Sequence, residues 1–263
     1  MSDHLLVEKQ GHVTIVTMNR PEARNAFSPE MMARLADAWD AIDNDPEVRV
    51  AILTGAGGHF CAGSDLKLMA GGWKDEKWSP RFKADPDLHW KALLRHYHLR
   101  KPLIAAVEGY AVAGGSELLQ ATDIRVAGEG ATLGIFEARR GLFPLGGSTV
   151  RLPRQVPYTM AMDLLLTARP VSAREAMQMG LVGRVVPDGT ALDEALGIAE
   201  VICRNGPLSV EAIKRSVRET EALPEDEALK IELEIGWPIF ATEDAKEGAK
   251  AFAEKRPARF QRR

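Results

Sequence analysis

Two glycine-rich stretches of the sequence have the composition of a strand-to-helix turn that presents backbone amides to a ligand. They are residues 57–66 (GGHFCAGSDL) and residues 109–117 (GYAVAGGSE). The first N–H groups of a helix have no partner inside that helix, so they point outward. Two such groups aimed at one point form an oxyanion hole, and each donor contributes about 2.7–4 kcal/mol in a dry site. The same composition also occurs in plain packing turns.

Two glutamates accompany the second stretch. Glu117 ends it, in the first turn of a predicted helix, where the helix dipole stabilises any carboxylate. Glu137 follows in LGIFEARR, and an ion pair with Arg139 or Arg140 is the simplest alternative to a chemical role. The residue types alone leave both interpretations open for each glutamate.

Other reactive side chains are interpreted structurally. Cys61 has no histidine placed to activate it, so we expect it to be a packing residue. His96 and His98 stand two residues apart in a predicted helix, which puts them on different faces, and we predict no metal site.

Strands that lead through glycine-rich turns into helices, several times over, predict an α/β core. The run at 102–107 is apolar throughout, which is typical of a strand buried on both faces. Ser28, Pro29 and Glu30 have the types expected at a helix start. Further predictions are a loop at 70–86, a helix at 86–100, a last strand at 181–186, and three or four amphipathic helices at 190–256.

The bulk composition excludes several classes of protein. The chain has 263 residues and a formal net charge of −3, without the basic surface of a nucleic-acid-binding protein. Its two cysteines do not suggest a disulfide framework. The apolar runs are shorter than the roughly 18–20 residues of a membrane span, and MSDHLLVEKQ lacks signal-peptide features. We therefore expect a cytoplasmic protein that binds neither nucleic acid nor membrane.

Several longer stretches resemble the markers of one enzyme family. Residues 104–154 (IAAVEGYAVAGGSELLQATDIRVAGEGATLGIFEARRGLFPLGGSTVRLPR) carry the main signature, and four others, residues 19–31, 55–69, 164–187 and 251–260, also match. Together they resemble the enoyl-CoA hydratase/isomerase (crotonase) superfamily over nearly the whole chain.

The resemblance implies a crotonase-like spiral of repeated ββα units with a C-terminal helical trimerisation region. It places the spiral core at residues 1–200 and the helical region at residues 201–263. It also implies assembly as a homotrimer or a dimer of trimers.

The resemblance assigns roles to the residues singled out above. The backbone N–H groups of Ser64 and Gly114 would form the oxyanion hole, and Glu117 and Glu137 match the two catalytic glutamates of the hydratase branch. Positions that match the family's coenzyme A and substrate contacts are Ala23, Arg24, Ala26, Ala62, Asp65, Leu66, Phe252 and Lys255. The last two lie on a C-terminal helix that often reaches a neighbouring subunit's coenzyme, although Lys255 also fits a solvated basic tail.

The implied reaction is the reversible addition of water to a 2-enoyl-CoA thioester, with no metal and no cofactor beyond the coenzyme A of the substrate. Isomerase branches usually lack one of the two glutamates, so keeping both favours a hydratase. The alternatives are a carnitinyl-CoA-type dehydratase, an enoyl-CoA isomerase, or a non-catalytic RNA-binding relative. One departure is Ala113, where many hydratases have glycine, and its Cβ is expected to alter the fit of the acyl group.

Within the family, the chain most resembles actinobacterial hydratases linked to steroid side-chain breakdown. The loop that carries Trp73, Trp78 and Phe82 is then expected to line or cover a bulky acyl pocket.

Overall fold

Two sheets position the candidate site. The computed structural model describes residues 3–71, 75 and 77–263. The strands β1 to β9 span Leu5–Gln10, Val13–Met18, Val50–Gly55, Leu103–Val107, Tyr110–Val112, Ile124–Gly128, Thr132–Gly134, Val171–Ser172 and Arg184–Val186. The larger sheet has the order β1-β2-β3-β4-β6-β9 and is parallel except for the β1–β2 pair. The smaller sheet has the order β5-β7-β8. The predicted α/β class is confirmed.

Helices follow the strands and cover the sheets. Helices α1 to α12 span Pro29–Asn44, Leu66–Ala70, Ser79–Ala84, Leu88–Ala92, Gly114–Leu119, Ser148–Gln155, Tyr158–Thr167, Ala173–Gln178, Ala191–Cys203, Pro207–Thr220, Glu225–Gly236 and Glu243–Ala253. Short 3-10 helices span Pro21–Ala23, Ala56–Gly58, Glu137–Arg140 and Trp237–Ala241. None of the described helices has both the length and the apolar character needed to cross a membrane.

Successive turns of the chain add one strand to each sheet before a helix. The β4-β5-α5 segment does so, and β6-β7 followed by the 3-10 helix at Glu137 repeats it. An isolated bridge from Cys61 to Ala111 extends the pattern to the segment before α2. This is the predicted spiral of ββα units.

The central strands are buried on both faces, as the apolar run at 102–107 predicts. Leu103, Ala105 and Val107 of β4 face the main core, which also contains the inward side of α1. Ile104 and Ala106 face a second apolar cluster formed with α9. Alternate side chains of one strand therefore hold two layers together.

The helix start at Ser28 is confirmed. Its hydroxyl accepts a hydrogen bond from Met31 N–H at 3.1 Å, and Pro29 occupies the first helical position. A side-chain acceptor of this kind satisfies one of the unpaired amides at a helix N-terminus.

Three secondary-structure predictions are wrong in extent. The predicted helix at 86–100 is only Leu88–Ala92, because Leu94 turns into the left-handed region at φ +52° and tucks into the core. The predicted loop at 70–86 contains the helix Ser79–Ala84, which begins with Pro80 near its N-terminus. The last strand is shortened to Arg184–Val186.

The C-terminal segment is tied to the core by polar contacts. Lys101 is fully buried, and its Nζ donates to Val48 O at 2.5 Å and lies 3.5 Å from Glu211 of α10. Arg49 donates to the carbonyls of Cys203 and Phe260, both at 2.7 Å. Residues 190–256 contain the four helices α9 to α12, within the predicted three or four. A domain boundary at residue 200 remains a prediction.

Candidate active site

The two glycine-rich stretches lie side by side. Cys61 N–H donates to Tyr110 O at 2.7 Å, and Val112 N–H donates to Cys61 O at 3.0 Å. Parallel pairing therefore aligns the turn after Cys61 with the turn that opens α5.

Close approach of these turns requires glycine at position 63. Gly63 has φ +85°, and a Cβ there would lie 2.8 Å from Ala113 Cβ and 2.9 Å from Gly114 N. Gly115 is equally constrained, since a Cβ would lie 2.4 Å from Cys61 O. The small residues hold two backbone segments at contact distance.

Among the described residues, the predicted oxyanion-hole amides have no backbone acceptor. The bridge between Phe27 and Ser64 uses Gly63 O and Asp65 N–H, so the intervening Ser64 N–H faces away from it. Gly114 is the first residue of α5, and within the described residues its N–H has no backbone acceptor either. Both residues line the same cavity.

Ala113 orients the second amide at a conformational cost. It adopts φ +51° and ψ −131° immediately before Gly114. A residue with a Cβ is strained there by about 1–3 kcal/mol. The departure from glycine noted in the sequence thus falls on a backbone conformation that glycine adopts more easily.

Glu117 is buried and held by a glycine turn. Its Oε1 accepts a hydrogen bond from Ser148 N–H at 3.2 Å, and a Cβ on Gly146 would lie 2.7 Å from its Oε2. Burial raises the pKa of Glu117 above its usual value, and the backbone amides of residues 146–148 oppose that rise. The carboxylate therefore has a specific cradle and is more than a helix N-terminal acid.

Glu137 is buried and has no cation as a partner among the described residues. Its Oε2 has no hydrogen-bond partner there, and neither Arg139 nor Arg140 forms an ion pair with it. Arg139 instead lies over the Phe136 ring, 4.9 Å from its centre. Burial, followed by the charge of Glu117, raises the pKa of Glu137 to about 7. The two carboxyl groups are thus close enough to influence each other.

Both glutamates open into one cavity of about 910 Å³. Its polar end contains Ser64, Gly114 and the two carboxyl groups. Its apolar wall is built by Met32, Leu66, Met69, Phe82, Trp90, Leu93, Phe136, Leu142, Phe143 and Leu145. The cavity lies near the upper limit of small-molecule pockets, which span about 300–1,000 Å³.

The predicted coenzyme contacts are only partly brought together. Ala62 and Leu66 line the cavity. Asp65 instead caps α2 and forms a 3.2 Å ion pair with Arg20, so its visible role is positional.

Three further predicted contacts are not among the residues that line the cavity. Arg24 O accepts from Ala62 N–H at 3.0 Å, and the Arg24 guanidinium lies over the Tyr110 ring. Ala26 O accepts from the Arg20 guanidinium at 2.7 Å, and Ala23 ends the short 3-10 helix that precedes them.

Phe252 lies in the last turn of α12, whereas Lys255 follows the end of that helix, contrary to the predicted helical position. Both are exposed and are not among the cavity residues of their own chain. Their predicted contact with a neighbouring subunit's coenzyme stays a prediction.

The described residues give no support for thiol or metal chemistry elsewhere. Burial raises the pKa of Cys61 to about 12, and its thiol donates to Asn25 O at 3.1 Å, which suits a packing residue. His96 and His98 are outside any helix, contrary to the prediction, but the described residues contain no cluster of three or more metal-binding side chains.

The cradle of Glu117 is not predicted from the sequence. Gly146, Gly147 and Ser148 belong to the longer signature, and the one local signal for another amide-presenting turn is the pair of glycines before a helix. The distant apolar residues of the cavity carried no local signal. Of the aromatic loop, Phe82 lines the cavity, Trp78 packs on the core, and Trp73 lies outside the described residues.

Known proteins are similar to this chain over nearly its full length. The chain is 58% identical over 263 residues to enoyl-CoA hydratase EchA19 of Mycobacterium tuberculosis, covering 98% of this chain and 96% of that protein. It is 38% identical to (E)-benzylidenesuccinyl-CoA hydratase of Thauera aromatica, covering 97% of each.

Solved structures match over the full length. An enoyl-CoA hydratase of Mycobacterium tuberculosis superposes with a TM-score of 0.90 at 42% identity, covering 100% of both chains. Enoyl-CoA hydratase EchA1 of Mycobacterium marinum also gives 0.90, at 44% identity and the same coverage. The crotonase-like fold is confirmed. The model of the enoyl-CoA hydratase/isomerase family matches residues 8–263, and the chain belongs to that family.

Proposed function

We propose that this protein is an enoyl-CoA hydratase that adds water to a 2-enoyl-CoA thioester and gives the 3-hydroxyacyl-CoA. The observation that carries the proposal is the pair of buried glutamates, Glu117 and Glu137, in one cavity with two backbone amides that have no acceptor in the described part of the chain. The relatives named above are themselves hydratases.

The thioester carbonyl binds between the amides of Ser64 and Gly114. These donors draw electron density from the double bond toward the oxygen, which makes the β-carbon electrophilic and stabilises the enolate-like transition state. The rigid turns around Gly63 hold the donors in place before substrate arrives.

The two carboxyl groups divide the proton transfers. Glu117, cradled by amides that favour its ionised form, takes a proton from water as the oxygen attacks the β-carbon. Glu137, whose pKa is raised to about 7, is protonated below that pH and delivers its proton to the α-carbon. No metal and no cofactor beyond the substrate's own coenzyme A takes part.

The cavity supports a bulky acyl group, including one derived from a steroid side chain. Its volume of about 910 Å³ and its long apolar wall exceed the needs of a four-carbon acyl chain. Among the described aromatic residues of the loop, only Phe82 lies on this wall.

The partners follow from the same proposal. They are an acyl-CoA thioester and two or five further copies of the chain, in a homotrimer or a dimer of trimers. A cytoplasmic location suits the two free thiols, Cys61 and Cys203.

The test is hydration of crotonyl-, long-chain and steroid side-chain enoyl-CoA by wild type, Glu117→Gln and Glu137→Gln. We expect each substitution to lower kcat by about 10²–10⁴-fold at unchanged thermal stability or better, because one proton transfer is lost while the shape is kept. Wild-type turnover by either variant would contradict the assigned chemistry. A clear preference for crotonyl-CoA would contradict the bulky acyl group alone.

The same preparations discriminate the alternatives. Isomerisation of 3-enoyl-CoA faster than hydration would favour an isomerase, and reaction of a carnitinyl-CoA substrate would favour a dehydratase. Salt-sensitive retention of RNA in the absence of hydration would favour the binding protein.

A further inference from the structure

Arg151 lies behind Glu117, on the side away from the substrate cavity. It is in α6, one turn after Ser148, and its guanidinium donates to three backbone carbonyls from three separate segments. These are Leu94 O at 2.5 Å, Gly146 O at 3.2 Å and Glu117 O at 3.4 Å. Within the described residues no carboxylate forms an ion pair with it, so its hydrogen bonds serve the backbone.

These bonds fix the turn that cradles Glu117. Gly146, whose carbonyl Arg151 holds, touches the carboxylate, and Ser148 donates its N–H to that carboxylate at 3.2 Å. Gly147 lies between them at φ +123°, and a Cβ there would lie 3.2 Å from Arg151 Nη1. The turn is thus packed between a guanidinium and a carboxylate, and moving one would shift the amides that bind the other.

Arg151 also brings a charge. Burial lowers its pKa to about 10, and the charge of Glu117 opposes that fall, so the side chain remains a cation at neutral pH. The other charged or titratable groups around it are Arg95, His98 of the segment after α4, and Arg218 of α10. On the cavity side Glu117 faces Glu137. Cations therefore lie behind Glu117 and an acid lies in front of it.

We propose that Arg151 is a positioning residue that selects Glu117 as the ionised member of the glutamate pair. It does so by holding the 146–148 amides against that carboxylate and by placing a half-buried cation behind it. Glu137 makes no hydrogen bond to Arg151 in the described structure, so the effect falls on one acid and leaves the other as the proton donor. The effect of Arg151 on catalysis rests on the proposed hydratase function, whereas its effect on the ionisation of Glu117 does not.

The test compares Arg151→Gln, which removes the charge, with Arg151→Lys, which keeps the charge but not the three-carbonyl fork. The control is Arg154→Gln on the exposed side of the same helix. For Arg151→Gln we expect kcat to fall about 10- to 100-fold with KM changed less than about twofold. The acidic limb of its kcat–pH profile should move up by about one pH unit, because the Glu117 carboxyl group is harder to ionise without a positive charge nearby. For Arg151→Lys the limb should stay in place while kcat falls only in part.

A second readout needs no turnover. The Glu117 carboxyl group is titrated by isotope-edited NMR in the substrate-free protein, with Glu117→Gln to assign its signal. A higher pKa in Arg151→Gln, restored in Arg151→Lys, supports the proposal. An unchanged pKa and an unmoved acidic limb would overturn it, even if thermal stability falls, since a purely structural residue predicts that pattern. If the wild type does not hydrate enoyl-CoA, the proposed hydratase function is contradicted. The NMR titration then still tests the effect of Arg151 on the ionisation of Glu117.

Discussion

At the scale of single residues, the site depends on where polar groups are left unsatisfied. Glu137 Oε2 is buried with no partner in the described part of the chain. An ionised carboxylate is expensive in such a place, and a protonated one carries a hydrogen to donate. The surroundings therefore favour the form that an acid catalyst needs.

The pH dependence follows from the sign of the two shifts. Glu137 is an effective acid only while protonated, so we expect kcat for hydration to fall as pH rises through about 7. Glu117 must be ionised, so kcat should also fall at acidic pH, starting above the usual range of a glutamate because burial raises its pKa. Steady-state rates at saturating substrate across the pH range check this, and a flat profile through neutrality would contradict it.

The raised pKa of Glu137 also makes the stability of the folded protein depend on pH. Because folding raises the pKa of Glu137, the folded state is favoured most when the group is protonated, and this advantage is lost as pH rises through about 7. We expect Glu137→Gln to raise the free energy of unfolding by about 1–3 kcal/mol above pH 8 and by little near pH 4. Denaturant titrations at the two pH values measure it, and an equal effect at both would show that ionisation is not the cause.

Ser116 offers a matched test of an unsatisfied hydroxyl. Its side chain is buried beside Glu117, and Oγ has no hydrogen-bond partner among the described residues. We expect Ser116→Ala to raise the free energy of unfolding by about 1 kcal/mol, since a buried hydroxyl without a partner is costly. Ser28→Ala, which removes the cap of α1, should lower it by a similar amount. Thermal and denaturant unfolding compare the two, and destabilisation by Ser116→Ala would mean that the hydroxyl has a partner.

At the scale of elements, the proposed oxyanion hole depends on a contact between two turns. Neither turn forms it alone, because Ser64 follows β3 and Gly114 opens α5. The parallel bridge between Cys61 and Ala111 brings them together. Glycine is needed where the two backbones touch.

Substitution of two glycines in the first turn distinguishes the effect of backbone strain from that of a steric clash. Both Gly63 and Gly58 have positive φ, but a Cβ on Gly58 would meet nothing within 4 Å, whereas one on Gly63 would strike Ala113 and Gly114. We expect Gly63→Ala to lower kcat by about 10²–10³-fold, because it displaces the amide donors. Gly58→Ala should lower stability by about 1 kcal/mol and leave kcat near wild type. Equal kcat losses in both variants would show that strain, and not the contact of the turns, controls activity.

At the scale of the whole molecule, the C-terminal helices leave apolar side chains uncovered. Trp237 and Phe240 are 70% and 77% exposed, and Phe252 is 87% exposed. Trp237 and Phe240 lie side by side, with ring centres 5.9 Å apart, and exposed apolar patches often mark an interaction site. It supports the proposed assembly, in which Phe252 would meet a neighbouring subunit.

We expect a particle of three or six times the 28.8 kDa chain mass. Light scattering after gel filtration measures it. Trp237→Ser with Phe240→Ser should shift the equilibrium toward smaller species, because each removes apolar contact area, while Lys230→Ala on the same region should not. A monomer at micromolar concentration in the wild type would contradict the assembly.

Local sequence determined the parts of this protein that depend on neighbouring residues. The start of α1 follows from Ser28 and Pro29, and β4 follows from its apolar run. The composition of both glycine stretches predicts turns but does not separate amide-presenting turns from plain packing turns. The resemblance of longer stretches supplied the family and the pair Glu117 and Glu137.

Only the tertiary structure decided how these parts act together. The helix predicted at 86–100 stops at Ala92 because Leu94 turns into the core, a preference that no local pattern carries. The raised pKa of Glu137, the cradle from residues 146–148 and the cation of Arg151 all come from chain segments distant in sequence. Burial and electrostatics depend on which residues are neighbours in space, and these neighbours cannot be read from the order of residues in the chain.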